Sequence, residues 1–251
     1  MNPLRCSILI PTYKSPLDYF SAAIQSAIMQ TVPTEVCICG DGCEPDRADF
    51  VAEVIDRAGF TGAVKYEWQP NAGVAAALNT CLSMATCDWV AWLPADDLYR
   101  ADHIETMLSE LDFKSNELLW RIAYSSYEEG VPIVQARWPA AQFSSRESLF
   151  AALQQGCFIN AASVVWHRSV FDDLGGWDPA LVHAQDAEFI MRCAEVHPFL
   201  AVHHYGVRRR LHPGQMVRTL HDPAERAKKK ADMVFLKDRY GAWLPREPET
   251  E

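Results

Sequence analysis

The sequence predicts an α/β fold, a wound and mostly parallel sheet flanked by helices, and three observations predict it. Short apolar runs alternate with stretches of helical periodicity through the first 112 residues, the pattern of strand–helix–strand units. Each apolar run ends in a polar or turn-rich segment: Pro11-Thr12-Tyr13, Gly40-Asp41-Gly42, Pro70-Asn71-Ala72-Gly73, and residues 94–97. In a parallel sheet those segments gather on one edge, where ligands are held. The last of them closes the stretch WVAWLPADD, in which a buried strand empties into two adjacent carboxylates, Asp96 and Asp97. Two acids are too costly to bury unpaired, and a hard divalent cation carrying phosphate oxygens is their natural counter-charge.

Each element has its own justification. Residues 6–10 read as the first strand, and Leu17, Phe20, Ile24, Ala27 and Ile28 give one apolar helix face. Residues 35–39 form the second strand, followed by a helix marked by Phe50, Val51, Val54, Ile55 and Ala58. Residues 64–68 form the third strand, and Val74, Ala77, Leu78, Cys81, Leu82 and Ala85 the helical stripe that leads to the strand at Trp89. Ile104, Met107, Leu108 and Leu111 mark a helix after the acidic loop. The second half is less regular. A hairpin over 123–137 turning at Glu129-Gly130, a helix over 145–155 and a strand over 162–166 are expected there. A loop over 174–179 then precedes a helix whose face is Ala187, Ile190, Met191 and Ala194, which puts Asp186 at or near its start. Residues 222–240 read as an amphipathic terminal helix, and 245–251 as a disordered tail.

Composition narrows the function. A chain of 251 residues, 49% hydrophobic and 22% charged, buries a sizeable core as one domain or two fused halves. The formal charge of −10 argues against a nucleic-acid partner, because no long basic stripe exists to neutralise phosphates. The basic run 228–230 reads as a solvated helix face. The apolar run before Pro11 is too brief for a signal segment or a membrane span, so a cytoplasmic protein is expected. Eight cysteines, none in a CxxC pair, read as buried reduced thiols, and the spacing of Cys37, Cys39 and Cys43 is wrong for zinc. The chain lacks GxGxxG and the P-loop, which excludes those two nucleotide-binding folds.

Six ordered motifs resemble family 2 glycosyltransferases of the GT-A fold: SILIPTYKS with AIQSAIMQT, ICGDG, NAGVAAALNTCLSMA, WVAWLPADD, GGWDPALVHAQDAEFIMRCAE and RLHPGQM. The resemblance implies one domain over 1–221, with a nucleotide-sugar half of about 1–112 and an acceptor half of about 113–221. Residues 222–251 add the helix and tail. It further implies inverting transfer of a sugar from a nucleoside diphosphate donor, UDP or dTDP, to a carbohydrate or glycoconjugate acceptor. Pro11, Thr12, Tyr13 and Asp41 match the positions that hold the nucleoside, with Asp41 the partner of the base. Asn71 and Gly73 join this nucleotide set. Asp97 matches the metal contact, Asp96 lies nearer the ribose, and Asp186 matches the catalytic base.

Physical chemistry supports these roles. The leaving diphosphate develops negative charge in an already acidic protein, so Mg²⁺ or Mn²⁺ supplies stabilisation that side chains do not. A lone carboxylate opposite takes the acceptor hydroxyl's proton. His212 is expected as an extra metal or phosphate contact, Arg210 over the diphosphate, and Trp177 and Gln185 on the acceptor side. Three positions depart from the family pattern. Pro94 replaces an acid, leaving two carboxylates instead of three. Gly40 replaces another, leaving Asp41 alone with the base. Gln185 replaces Glu, removing a like charge beside Asp186 and keeping its pKa lower than in a paired site. Structural roles compete at each position: helix capping for Asp186, a turn for Asp41 and Asp96-Asp97, and core packing for Trp177. Two other function classes compete with sugar transfer, namely nucleotidyl transfer and a binding module without catalysis. The terminal helix suits packing on the domain, a homodimer contact, or peripheral contact with the inner membrane face.

Overall fold

The structure is a computed structural model and describes residues 5–43, 47–109, 120–128, 134–135, 143, 145–212 and 221–241. Strands β1 (Cys6–Thr12), β2 (Thr34–Asp41), β3 (Val64–Gln69) and β4 (Trp89–Trp92) run parallel in the order β3-β2-β1-β4. Their side chains alternate between the faces of the sheet with a period of two. Ile8, Ile10, Val36, Ile38 and Ala91 pack with helices α1 (Leu17–Ile28), α2 (Arg47–Arg57) and α4 (His103–Ser109). Leu9, Cys37, Cys39, Val90 and Trp92 pack with α3 (Val74–Met84) and the later helices on the other face. Both faces are covered, which is why β1, β2 and β4 read as continuous apolar runs. All eight cysteines are unpaired and seven are buried.

Beyond β4 the strand–helix alternation that forces parallel pairing stops, and the sheet as a whole is mixed. β8 (Val164–His167) runs antiparallel to β4, and β6 (Trp120–Glu128) antiparallel to β8. β9 (Phe199–Arg210) lies parallel to β6 with register shifts around Tyr124, and β5 (Leu98–Tyr99) closes the path antiparallel to β9. β4 and β5 are joined by only residues 93–97, yet the hydrogen-bonded path between them runs through β8, β6 and β9. The sheet therefore curls round the acidic loop and brings the end of β9 back to it.

In the second half, β7 (Val134–Gln135) pairs antiparallel with β6 as the expected hairpin requires; its turn at 129–130 lies outside the described residues. α5 (Arg146–Leu153) begins at Ser145, whose hydroxyl accepts the Ser148 N–H in a reciprocal capping box. α7 (Gln185–Val196) starts where expected. Four elements were not anticipated: the two-residue β5, a 3-10 turn over Ala161–Ser163 that delays the expected strand to Val164, the short α6 (Arg168–Leu174), and β9, whose His- and Arg-rich sequence lacks strand periodicity. Leu111 and the tail 245–251 lie outside the described residues.

α8 (Pro223–Tyr240) is capped by Asp222, which accepts the Ala224 N–H, and ends at Gly241 in the left-handed conformation. Its Met233, Leu236 and Tyr240 belong to the same apolar cluster as α5 and α7, so the terminal helix packs on the domain. No described helix is long and apolar enough to cross a membrane.

Candidate active site

The acidic loop is a turn tied to the sheet. The Leu93 N–H donates to the Leu9 carbonyl at 2.9 Å, and the Asp97 N–H donates to the Pro94 carbonyl at 3.1 Å. The end of β9 grips this turn. The Arg210 backbone N–H donates to Asp97 Oδ1 at 3.0 Å, while the Arg210 guanidinium donates to the carbonyls of Asp96 and, at 2.8 Å, of Tyr19. That guanidinium stands 4.3 Å over the Tyr19 ring, and the His212 ring nitrogen lies 3.0 Å from Asp96 Oδ2. Sequence reading singled out Asp96, Asp97, Arg210 and His212 separately, and the fold joins them. Tyr19, whose ring meets both the Arg210 guanidinium and the His212 imidazole, was missed, because its helical position carries no motif.

Asp97 is only 3% exposed. Burial, reinforced by the neighbouring Asp96 charge, pushes its pKa up to about 7 against the Arg210 N–H and the Arg209 and Arg210 charges. Among the described residues no three His, Cys, Asp or Glu side chains converge as a complete metal site. A hard cation here would take Asp97, with Asp96 and His212 alongside, and complete its shell with oxygens from outside the chain. The buried Asp97 carboxylate, its proton affinity raised by burial and by the Asp96 charge, fits such a cation.

The base-binding expectation centres on Asp41, at the end of β2. Its Oδ1 accepts the Ala72 N–H at 2.8 Å and the Gln69 side-chain N–H at 2.8 Å, and its Oδ2 accepts the Gly73 N–H at 3.0 Å. Asp41 therefore anchors the entry to α3, and Oδ2 keeps acceptor capacity for one more donor. Gly73 takes φ +90 at that entry, where a side chain would be strained. Asn71 packs against Gly42, whose ideal Cβ would lie 2.7 Å from Asn71 Cβ. Gly40 also has a structural reason: the Tyr66 hydroxyl lies 2.3 Å from where its Cβ would stand, so Tyr66 occupies the space of the family's acid. Pro11 and Thr12 are buried at the end of β1, and Tyr13 is exposed with the Lys14 ammonium 5.0 Å from its ring centre.

Asp186 is the second residue of α7, and its Oδ1 accepts the Ala187 N–H at 2.8 Å. Burial raises its pKa above the ordinary carboxylate value, opposed by helix N–H groups and by the charges of Arg209 and Lys229. The neutral Gln185 beside it is buried, and its Oε1 has no partner among the described residues. The Arg209 charge favours the ionised form of Asp97 and of Asp186. Sequence reading assigned Arg209 no role.

Trp177 is a correction. It is 2% exposed, with its ring centre 5.0 Å from Phe189, 5.2 Å from Phe171 and 6.0 Å from Trp166. No face of the indole is open for a sugar, and the stacking role gives way to core packing.

The family model for glycosyl transferase family 2 matches residues 7–175. The chain belongs to this family. A relative, the chondroitin synthase of Pasteurella multocida (strain Pm70), is 30% identical over 210 residues, covering 82% of this chain and 20% of the relative. The chain thus spans about a fifth of that relative's length. Among solved structures, S. aureus TarS 1–349 in complex with UDP superposes with a TM-score of 0.62 at 16% identity, over 95% of this chain and 72% of that one. The mannosyltransferase PcManGT from Pyrobaculum calidifontis, in complex with GDP-Man and Mn2+, gives 0.61 at 14% identity, over 96% and 76%. These likenesses show the fold of this family 2 glycosyltransferase, the GT-A fold.

Proposed function

We propose that this glycosyltransferase moves a sugar from a nucleoside diphosphate donor to an acceptor hydroxyl with inversion, Asp186 serving as the general base. What supports the reading is that the end of β9 meets the acidic turn, the Arg210 N–H donating to Asp97 Oδ1 at 3.0 Å, while the adjacent Arg209 charge favours ionisation of both Asp97 and Asp186, carboxylates from opposite halves of the chain. Asp97 belongs to the donor side, with Asp96 and His212 beside it. A divalent ion bound there would neutralise the charge that develops on the leaving diphosphate. Asp186, with its pKa raised by burial, is suited to take a proton from the attacking hydroxyl, and attack opposite the leaving group inverts the anomeric centre. The nucleoside would lie between Pro11, Thr12, Tyr13 and Asp41, where the spare acceptor capacity of Asp41 Oδ2 suits a base N–H. Arg210 holds the acidic turn in shape. The complexes of the neighbours with UDP and with GDP-Man and Mn2+ support a nucleotide-sugar donor and a divalent metal, and the chondroitin synthase supports a carbohydrate acceptor.

A donor screen by thermal shift, with and without Mn²⁺, tests the donor site, because a ligand that binds only the folded state raises its stability. A UDP-sugar is expected to raise the melting temperature only when Mn²⁺ is present, and Asp97→Ala to abolish that dependence. Asp186→Asn is expected to lower turnover by roughly 10² to 10⁴ with donor binding nearly intact. Wild-type transfer rates in both variants would overturn the assignments.

A further inference from the structure

Asp232 stands on the domain-facing side of α8 and is 5% exposed. Its Oδ2 accepts three backbone N–H groups, from Val182 at 2.9 Å, His183 at 2.6 Å and Ala184 at 3.1 Å. These residues lead directly into α7, whose N-cap Ala184 provides no side-chain acceptor. A carboxylate 50 residues beyond Val182 in the chain thus satisfies amides that would otherwise be orphaned at the entrance to the helix bearing Asp186. The same face of α8 binds α7 and its approach twice more. The His183 ring nitrogen lies 2.8 Å from Glu225 Oε2, and the Tyr240 hydroxyl donates to Glu188 Oε1 at 2.9 Å. Glu225, Asp232 and Tyr240 follow one another at about two helical turns, so one face of α8 touches α7 or the residues leading into it at three heights along α8.

We propose that Asp232 is the positioning residue for the catalytic base: by gathering the amides of 182–184 it sets the entry of α7 and the direction in which Asp186 meets an acceptor hydroxyl. The inference rests on Asp186 being the base. The dependence is mutual, because a buried carboxylate needs its donors as much as the amides need an acceptor. The chemistry tolerates little slack, since a displacement of about 1 Å costs on the order of 10² in rate.

The test compares Asp232→Ala, Asp232→Asn and Tyr240→Phe in the full chain. Tyr240→Phe breaks one α8–α7 bond without touching the approach to Asp186. Asp232→Ala is expected to lower kcat about 10- to 100-fold, with the dissociation constant of UDP in Mn²⁺ unchanged and amide exchange faster over 181–187. Asp232→Asn, which keeps one acceptor oxygen in place, is expected to recover much of that kcat. Tyr240→Phe is expected to stay within about twofold of wild type. Wild-type kcat in Asp232→Ala, or an equal loss in Tyr240→Phe, would overturn the positioning role while leaving the base assignment standing. Full activity in Asp186→Asn would remove the base assignment and this inference with it.

Discussion

Asp97 makes the site sensitive to pH. Its pKa in the folded chain, about 7, lies above the value of about 3.9 for a free aspartate, so the folded state holds the proton more tightly than the unfolded state. Ionisation of Asp97 therefore opposes folding, and the metal-free chain loses stability as pH rises from about 4 through about 7. A bound cation reverses the sign by favouring the carboxylate, and its uptake below pH 7 releases a proton. The melting temperature of wild type is expected to fall relative to Asp97→Asn across that interval without metal, and parallel curves for the two would refute the raised pKa. Trp177 acts through packing instead. Trp177→Ala is expected to cost about 3–5 kcal/mol in denaturant unfolding, the range for emptying a buried aromatic site. A Trp177→Ala chain of undiminished stability but weaker acceptor binding would bring back the stacking role.

At the scale of elements, the ends of β2 and β3 show how a departure from a family pattern is accommodated. Glycine at 40 leaves room for the Tyr66 hydroxyl, so restoring a side chain there forces the two to compete. Gly40→Ala is expected to destabilise by roughly 1–3 kcal/mol, the usual cost of overpacking. The loss should be smaller in a Tyr66→Phe background, which removes the 2.3 Å contact and leaves Cys43 Sγ at 3.0 Å and Tyr66 Cζ at 3.1 Å. A double-mutant cycle by denaturant unfolding checks this, and strictly additive losses would count against it. β1, β2 and β4 were legible because each is covered on both faces and bounded by a turn. β9 was not, since FLAVHHYGVRRR takes its strand geometry from pairing with β6 and β5.

At the scale of the whole molecule, α8 is part of the core. Met233 and Leu236 are buried against the cluster that includes α5 and α7, and the Tyr240 carbonyl accepts the Gln154 side-chain N–H at 2.6 Å. Each such apolar side chain contributes about 2–5 kcal/mol, against a total stability of about 5–15 kcal/mol for a domain. Deleting residues 222–251 is therefore expected to abolish cooperative thermal unfolding. An unchanged melting transition in the truncated chain would mean that α8 is an appendage.

What the sequence determined by itself is whatever depends on neighbours along the chain. The strand–helix order, the acidic turn after β4, the start of α7 at Gln185 and the buried thiols follow from periodicity, turn chemistry and the cost of burying charge. Tertiary structure alone decided which distant groups meet. Arg210 and His212 reach the acidic turn because the sheet curls until β9 returns beside β5. Asp232 reaches the approach to α7 because α8 packs across it, Tyr66 fills the space beside Gly40, and Trp177 is drawn into the aromatic core. Such contacts depend on the curvature of the sheet and on helix docking, which arise from the packing of the chain as a whole and leave no periodic trace in any one segment.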